Sequence, residues 1–283
     1  MLKGLGRRGA LTAALSASLV LAFVAVSPVA AIRYGDNDNN DHPFVGLMVA
    51  QDATGNPLWR CSGTLLSDTV FITAGHCVAA PAAHIEVWFS AGPEPLGAGY
   101  PASGPNRCAG ITGYPCTGDV GGDPHENPSW DPGHFWLHDV GIVTFDSQYT
   151  GTTTYGQLPS VEQLDSLHAG RSTWFTAVGY GLQAAFPDAA AWKDQSARIR
   201  KVGYPWLYQI NTNFSGEADL ILADNASSGG TCFGDSGGPN FLGDSLVIAG
   251  VNSFVYNSQC AGFSGAYRLD HQADLDWING FLS

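Results

Sequence analysis

A serine enclosed by glycines, in the segment Thr231–Pro239 (TCFGDSGGP), constrains this chain more than any other feature of its sequence. Glycine adopts backbone dihedrals that are closed to other residues and lets another molecule approach the main chain closely. The segment therefore presents Ser236 as an exposed nucleophile. A serine hydroxyl is inert by itself, so this interpretation requires a base that takes its proton and an acid that orients the base. The blocks TAGHC and HDVGIV supply His76 and Asp139 for these two roles.

The sequence GDSGG also satisfies the Gly-x-Ser-x-Gly pattern of α/β-hydrolases. In that fold a helix follows the serine, and the run of Gly237, Gly238 and Pro239 would begin a helix poorly. The acid and the histidine of an α/β-hydrolase also come after the serine, whereas only 47 residues and a single histidine, His271, follow Ser236. The pattern of the whole chain therefore disfavours this alternative.

Composition favours an all-β fold. Only 13% of the residues are charged, and the chain contains 36 glycines and 16 prolines. A turn-rich chain with few charges is typical of many short strands rather than of helices. The 283 residues suffice for one large domain or two ordinary ones with substantial cores.

The first 31 residues have the features of a secretory signal peptide. Lys3, Arg7 and Arg8 precede an apolar run over 11–26, and small residues at 29–31 suit cleavage. We therefore expect an exported protein. The arginine pair leaves a twin-arginine route open, although no other export-motif residue supports it. No second long apolar stretch follows, so no membrane anchor is expected after the signal is removed.

The exported part of the chain is acidic. Removing the signal takes away three of the 12 basic residues and no acidic residue, which leaves nine against 25 and a net charge of −16. Such a surface argues against binding to nucleic acid. We expect the charge mainly to keep the protein soluble.

Six cysteines follow the signal, and an even number in an exported chain predicts three disulfides whose pairing the sequence alone leaves open. No Cys-x-x-Cys pair is present, so we expect no metal site and no cofactor. The acidic run Asp36–Asp41 lacks the glycine and the glutamate of a calcium loop, since Asp41 and Leu47 stand at those positions. It is predicted to be a solvated loop.

Short runs of β-forming residues, separated by Gly, Pro, Asn and Asp, predict the strands. They cover Phe44–Ala50, Leu58–Leu65, Val70–Ala74, His84–Phe89, Val140–Phe145, Trp174–Gly181, Ala197–Val202, Ser245–Asn252 and Gly265–Leu269. The segment 90–136 is rich in Gly, Pro and Asn and is predicted to be a long loop or insertion. Apolar residues at helical spacing in Asp270–Leu282 predict a C-terminal helix capped by Asp270.

The three blocks TAGHC, HDVGIV and GDSGG, in this order, resemble the signature blocks of the chymotrypsin-like (trypsin-fold) serine endopeptidases. The chain is identified as a secreted, bacterial-type member of that family. The resemblance implies two antiparallel six-stranded β-barrels with the active site between them and a short C-terminal helix. It divides the chain into a signal peptide at 1–31, a first barrel at 32–150 and a second barrel at 151–283.

The resemblance also implies a mechanism and a set of roles. Ser236 would attack a peptide carbonyl while His76 accepts its proton, and Asp139 would orient His76. The backbone N–H groups of Gly234 and Ser236 would form the oxyanion hole. The chain would therefore be a serine endopeptidase that needs neither a metal nor another cofactor.

Two further features follow from the resemblance. It pairs the cysteines as Cys61–Cys77, Cys232–Cys260 and Cys108–Cys116. In the family the N-terminal ammonium group pairs with the aspartate before the serine, which predicts that Ile32 is the working N-terminus and that it pairs with Asp235. Arg33 departs from the family's usual small residues there and needs solvent or a partner for its charge.

The predicted specificity pocket consists of Gly230, Ser253, Phe254 and Val255. Trypsin-type members carry an aspartate where this chain has Gly230, so no carboxylate is expected for a substrate Arg or Lys. Val255 stands where glycine is common and would narrow the pocket. We therefore expect cleavage after small to medium apolar residues.

Two other functions remain open at this point. One is a catalytically silent binding protein on the same fold, although such proteins usually lose a residue of the triad. The other is an exported serine esterase. The expected partner is a peptide or protein substrate, and the expected state is a monomer.

Overall fold

The computed structural model describes residues 32–92, 117–183, 199–213 and 219–283. The predicted signal peptide and the predicted Cys108–Cys116 disulfide lie outside these residues. Within them, no helix has both the length and the apolar character needed to cross a membrane.

The first half of the chain forms a closed barrel. The strands in this half of the chain are β1 (Asp36–Asn37), which lies outside the barrel, and β2 (Val45–Gln51), β3 (Pro57–Leu65), β4 (Val70–Thr73), β5 (His84–Trp88), β6 (Val120–Glu126) and β7 (Gly141–Phe145). Strands β2 to β7 are antiparallel and close in the order β2-β3-β4-β7-β6-β5. Closure gives each of these six strands two neighbours over at least part of its length.

The second half forms another barrel. Its strands are β8 (Gly170–Gly179), β9 (Lys201–Gly203), β10 (Trp206–Ile210), β11 (Asp219–Asp224), β12 (Pro239–Leu242), β13 (Ile248–Val255) and β14 (Gly262–Arg268). Strands β8, β10, β11, β14, β13 and β12 follow one another around the barrel, and β12 returns to β8. Strand β9 pairs with β8 outside this ring, and β1 pairs with β9. The predicted all-β class with two six-stranded barrels is confirmed.

Two buried clusters fill the barrels. The larger one lies in the first barrel and continues between the two barrels, where Phe44, Tyr180 and Phe241 belong to it. The smaller one fills the second barrel and consists of Leu164, Phe175, Leu207, Leu220, Leu222, Ala249 and Ala266. Because apolar packing is continuous between the barrels, their relative placement is held by the core itself.

Strand β6 corrects the prediction that 90–136 is a loop or insertion, since Val120–Glu126 is part of the first barrel. The strand is not predicted from β-forming residues because its glycines and Pro124 have low strand propensity. The proline is tolerated because β5 pairs only with 120–122 of this strand, while 123–126 has β7 alone as a neighbour. A proline in a strand without a second partner breaks no ladder hydrogen bond.

The acidic run before β2 is also different from the prediction of a solvated loop. Asp38 is fully buried and accepts hydrogen bonds from His42 Nδ1 at 2.5 Å and from Arg200 Nε at 2.7 Å. Arg200 also donates to the carbonyl oxygens of Val45 and Phe89 at 3.1 and 2.9 Å. This buried guanidinium connects the N-terminal segment, the first barrel and the start of β9.

The described residues include two α-helices. Helix α1 (Gly75–Val78) is a single turn after β4, and α2 (Gln272–Leu282) closes the chain as predicted. Asp270 does not cap α2, because His271 holds the N-cap position without a side-chain hydrogen bond. The Asp270 carboxylate instead accepts from Leu164 N at 2.7 Å and from Arg268 Nε at 3.0 Å. A buried arginine competes successfully for this carboxylate.

Candidate active site

His76 lies on helix α1, directly after the last residues of β4. Its backbone N–H donates to Asp139 Oδ1 at 2.9 Å, and its Nδ1 lies 2.9 Å from Asp139 Oδ2. The Cys61–Cys77 disulfide fastens the same turn to β3. Two independent contacts with one carboxylate therefore fix both the backbone and the ring of His76.

Asp139 precedes β7 and is fully buried. Besides the two contacts from His76, it accepts a hydrogen bond from Ser253 Oγ at 2.5 Å. A buried carboxylate with three donors is held in one orientation. Ser253 comes from β13 of the second barrel, so the acid of the first barrel is positioned partly by the second.

Ser236 stands in the loop between β11 and β12, flanked by two glycines with positive φ, Gly234 at 95° and Gly237 at 76°. A Cβ at position 237 would collide with Thr73 and with the backbone of Ala74, which belong to the β4–α1 corner. Glycine is thus required both by conformation and by the close approach of the two barrels. The approach brings the Ser236 loop against the corner that carries His76.

Ser62 on β3 connects this loop to the first barrel. Its N–H donates to the carbonyl oxygen of Ser236 at 2.8 Å, and its hydroxyl donates to that of Gly234 at 2.9 Å. The same hydroxyl accepts from Tyr180 N at 3.0 Å. Sequence reasoning missed Ser62, because a serine next to a cysteine on a strand carries no signal of this role.

A cavity of about 270 Å³ opens between the two barrels. It is lined by His76, Phe135, Thr231, Cys232, Phe233, Ser236, Asn252, Ser253, Phe254 and Val255. The structure therefore brings His76 and Ser236 to one cavity together with three of the four residues predicted for the pocket. The fourth, Gly230, is buried next to the lining residue Thr231.

The electrostatics around His76 suit a base. Burial lowers the pKa of the imidazole, but the charge of Asp139 and its hydrogen bond raise it more, so the pKa lies above its usual value. An imidazolium that forms here is stabilised by the carboxylate.

The two N–H groups predicted for the oxyanion hole are those of Gly234 and Ser236. Neither donates a hydrogen bond to another group in the described part of the chain. The carbonyl oxygen of Gly234 is turned away toward Ser62 Oγ, consistent with the positive φ at this glycine. Both donors are thus available to an oxygen placed beside Ser236.

Asp235 is fully buried beneath this loop. Its carboxylate accepts from Gly181 N at 2.7 Å and from Cys232 N at 2.9 Å. A Cβ at Gly179 or Gly181 would collide with this carboxylate, which explains the Gly-Tyr-Gly sequence at the end of β8. Burial raises the pKa of Asp235 to about 7, against the hydrogen bonds from Cys232 and Gly181 that lower it.

Ile32 is fully buried, with its side chain against Gly203 and Gly229. Next to it, the carbonyl oxygen of Arg33 accepts from Gly230 N at 3.0 Å. The Arg33 guanidinium donates to the carbonyl oxygen of Gln259 at 2.7 Å, so its charge has a partner at the rim of the second barrel. The pairing of an Ile32 ammonium group with Asp235 stays a prediction.

The Cys61–Cys77 and Cys232–Cys260 disulfides are formed as the resemblance implied. They fasten the His76 corner and the Ser236 loop. Cys61, Cys77 and His76 offer ligand atoms within 4.8 Å of one another. The two sulfur atoms are bonded to each other, however, and a metal requires thiolates.

Asp224, at the end of β11, is a buried carboxyl group that sequence reasoning missed. A Cβ added to Gly230 would lie only 2.3 and 2.4 Å from the Cβ and Cγ of Asp224 and would collide with them. Its Oδ1 accepts from Ser264 Oγ at 3.0 Å, while Oδ2 is buried with no hydrogen-bond partner among the described residues. The only sequence signal was an aspartate that ends a strand shortly before a pair of glycines.

The family model described as Trypsin matches residues 117–278. Serine protease 1 of Drosophila melanogaster is 25% identical over 238 residues, which are 83% of this chain and 78% of the relative. A collagenase of Hypoderma lineatum is 25% identical over 284 residues, 94% of each chain. These relatives are insect proteins and do not support the predicted bacterial type.

Solved structures share the fold. A structure of HL collagenase has a TM-score of 0.61 at 20% identity and covers 89% of this chain and 97% of its own. A structure of human heparin binding protein has a TM-score of 0.57 at 20% identity and covers 86% and 92%. At this identity the likeness establishes the architecture and nothing about activity.

Proposed function

The chain belongs to the trypsin family, and on that premise we propose that it is a secreted serine endopeptidase that acts through an acyl-enzyme. The observation that carries the proposal is the geometry around Asp139. Its carboxylate holds the Nδ1 atom of His76 at 2.9 Å, and His76 shares a cavity with Ser236. A fixed imidazole beside a serine is what activation of the hydroxyl requires.

In the proposed reaction Ser236 Oγ attacks the carbonyl carbon of a peptide bond, and His76 Nε2 takes the hydroxyl proton. His76 then gives this proton to the leaving amine, and the acyl-enzyme is hydrolysed by water in the same way. Asp139 holds the ring in the tautomer that has its proton on Nδ1. The N–H groups of Gly234 and Ser236 stabilise the oxyanion, each contributing about 3 to 4 kcal/mol by analogy with measured cases.

We propose that the chain is exported after removal of 1–31 and that its barrels correspond to 32–150 and 151–283. The two disulfides among the described residues support export, because such bonds persist in oxidising compartments. The net charge of −16 supports a monomeric, soluble protein that binds peptides and not nucleic acid.

The proposed preference is for small to medium apolar residues before the cleaved bond. Phe254 and Val255 line the cavity with Phe233 and with the carbon atoms of Cys232. The residue that carries the family's acidic determinant is here Gly230. Apolar walls without a charged lining residue other than His76 favour an apolar side chain.

We also propose that the mature chain begins at Ile32 and that its ammonium group pairs with Asp235. The burial of Ile32 and the raised pKa of Asp235 support this pairing. A buried carboxyl group with a raised pKa gains from a nearby cation. The backbone N–H groups of Cys232 and Gly181 already satisfy part of its hydrogen-bonding capacity.

A catalytically silent binding protein is the second candidate. One of the similar structures is named for heparin binding, so the fold alone does not separate an enzyme from a binding protein. A serine esterase is the third candidate, since the same nucleophile can attack esters.

The test is hydrolysis by the secreted protein of a peptide library and of a simple ester, with and without a serine-directed phosphonate. Cleavage of peptides that the phosphonate abolishes is expected. Cleavage of the ester alone supports an esterase, and no cleavage of either supports a binding protein. The Ser236→Ala variant, expressed and purified in parallel, controls for contaminating proteases.

A further inference from the structure

The carboxyl group of Asp224 occupies the space that a side chain at position 230 would fill. Because Gly230 has no Cβ, the Asp224 side chain can cross from β11 into this space. Asp224 is 4% exposed and belongs to a buried strand. The carboxylate that the loop sequence lacks is thus supplied by the neighbouring strand.

The Asp224 carboxyl group adjoins residues that line the cavity beside Ser236. On one side, Gly230 is followed by Thr231 and Cys232, which line the cavity. On the other side, Ser264 donates to Asp224 Oδ1 and is the register partner of Val255, another lining residue. The carboxyl group is therefore adjacent, through Gly230 and Ser264, to lining residues from two walls of the cavity.

One oxygen of this carboxyl group is free to receive a donor. Ser264 occupies Oδ1, while Oδ2 has no hydrogen-bond partner in the described ranges. Arg33, whose charge lowers the pKa of Asp224, donates its guanidinium protons to the carbonyl oxygens of Gln259 and Cys260. A buried polar atom that lacks a partner is costly, so a donor that reaches it gains binding energy.

We propose that Asp224 is a specificity-determining residue whose carboxylate receives the terminal ammonium group of a substrate lysine. The proposal rests on the proposed endopeptidase function and adds lysine to the apolar residues expected there. The lysine stem lies against the apolar walls, and its ammonium group reaches Oδ2. One free oxygen suits a compact ammonium group better than the two-pronged guanidinium of arginine.

The charge state of Asp224 decides which side chain is favoured. Burial raises the pKa of this carboxyl group well above its usual value, and the nearby charge of Asp235 raises it further. The hydrogen bond from Ser264, the nearby backbone N–H of Thr231 and the charge of Arg33 lower it. The protonated pocket is neutral and accepts apolar residues, whereas the ionised pocket attracts lysine.

The experiment compares two peptides that differ only in lysine or norleucine before the cleaved bond. The ratio of their kcat/KM values is measured from pH 5 to pH 9 for the wild type, Asp224→Asn and the surface control Asp244→Asn. We expect the ratio to rise with pH in the wild type and in the control. In Asp224→Asn we expect the ratio of lysine to norleucine kcat/KM to be about 10- to 100-fold lower than in the wild type, because a hydrogen bond to a charged group is lost. We also expect this ratio to be independent of pH.

Titration with a serine-directed phosphonate counts the competent molecules in each preparation, so a misfolded fraction does not enter the rates. Ser264→Ala gives a second, independent result, because loss of its hydrogen bond should move the rise of the ratio to higher pH. A lysine ratio that Asp224→Asn leaves unchanged overturns the proposal. So does a wild type that cleaves the norleucine peptide but not the lysine peptide at any pH.

Binding of n-butylamine, measured by calorimetry, separates this proposal from the proposed function. It mimics the lysine side chain and requires no hydrolysis. If no peptide is cleaved but n-butylamine binds the wild type and not Asp224→Asn, the pocket is supported and the endopeptidase function fails. If n-butylamine binds both proteins equally, or neither, the role of Asp224 is overturned.

Discussion

The hydroxyl of Ser253 donates a 2.5 Å hydrogen bond to Asp139 Oδ2, across 114 residues of chain and from one barrel to the other. The same carboxylate also receives the backbone N–H and the ring Nδ1 of His76. The position of His76 in the first barrel therefore depends on a strand of the second. A small shift between the barrels would misplace the proposed base.

We predict that Ser253→Ala lowers kcat by about tenfold or more, since a hydrogen bond to a charged group is worth about 1.5–3 kcal/mol. Loss of this donor leaves Asp139 a stronger partner for imidazolium, so the acid limb of the activity profile should move to higher pH. The measurement is kcat against pH, with the exposed Ser166→Ala as the matched control. If Ser253→Ala changes neither kcat nor the pH of the acid limb, Ser253 has no role in the proposed mechanism.

Ser236→Ala should abolish peptide hydrolysis with a loss of about 10⁶-fold in kcat, as is typical when such a nucleophile is removed. The hydroxyl of Ser236 makes no side-chain hydrogen bond within the described ranges, so the fold should persist. Turnover and thermal unfolding of the two proteins are the measurements. Retention of more than a few per cent of the activity would refute the assignment of the nucleophile.

The activity should be lost as the pH falls through the pKa of His76, because a general base must be neutral. Burial lowers this pKa, but Asp139 raises it more, so the limb should lie above the usual histidine value. Asp139→Asn removes the charge and should move the limb to lower pH while it reduces kcat. A wild-type limb well below the usual histidine pKa would contradict the geometry of this pair.

The N-terminus should control the titration of Asp235. In a form that retains Ala31, burial raises the pKa of Asp235 from its unfolded value of 3.8 to about 7. The contribution of Asp235 to stability is therefore complete below pH 3.8 and is lost as the pH rises to about 7. In a form that begins at Ile32, the ammonium group should hold the carboxylate ionised and remove this loss. Pairing raises the pKa of the ammonium group above about 7.7–8.0, so stability and activity should decline only as the pH rises through that raised value.

The two forms are compared by thermal unfolding and peptide hydrolysis across this range, after N-terminal sequencing of the secreted protein. Asp235→Asn in the extended form provides the control, because it should lack the decline between pH 4 and pH 7. If the two forms are equally active, the proposed pairing of the Ile32 ammonium group with Asp235 is wrong and Ile32 is only a buried loop residue.

Non-reducing peptide mapping should recover Cys61–Cys77, Cys232–Cys260 and Cys108–Cys116. Loss of a native bridge in a secreted domain commonly costs about 2 to 5 kcal/mol, so Cys232→Ser with Cys260→Ser should unfold at a markedly lower temperature. The Cys108–Cys116 pair is the informative one, because it tests the resemblance outside the described residues. A free thiol or a crossed pair would contradict the alignment of the whole chain.

Much of the architecture could be predicted from the sequence, because strands such as β2, β4 and β7 are uninterrupted β-forming runs. The three blocks also predicted that His76, Asp139 and Ser236 act together. The structure places His76 and Ser236 at one cavity, with Asp139 buried against the Nδ1 atom of His76. Strand β6 was missed because its glycines and Pro124 have low strand propensity, and its place is decided by pairing with β7. Local propensity carries no information about such a partner.

The supporting residues were predictable to a smaller degree. Asp38 and Asp224 were missed because their contacts form only in the folded chain, with Arg200 for the first and with Gly230 and Ser264 for the second. Ser253 was placed in the pocket wall, but its bond to Asp139 depends on the register of β13 in the folded barrel. Hydrogen bonds between polar groups that are far apart in the sequence leave no periodic pattern, so the sequence alone does not predict them.

The contacts of Ser62 have a consequence for the order in which the protein is made. Ser62 is synthesised early, yet its partners Tyr180, Gly234 and Ser236 leave the ribosome more than 110 residues later. Until they arrive, the first barrel can fold but its proposed base has no serine to activate. During most of its synthesis the nascent chain therefore lacks the serine with which it could cut itself or its neighbours.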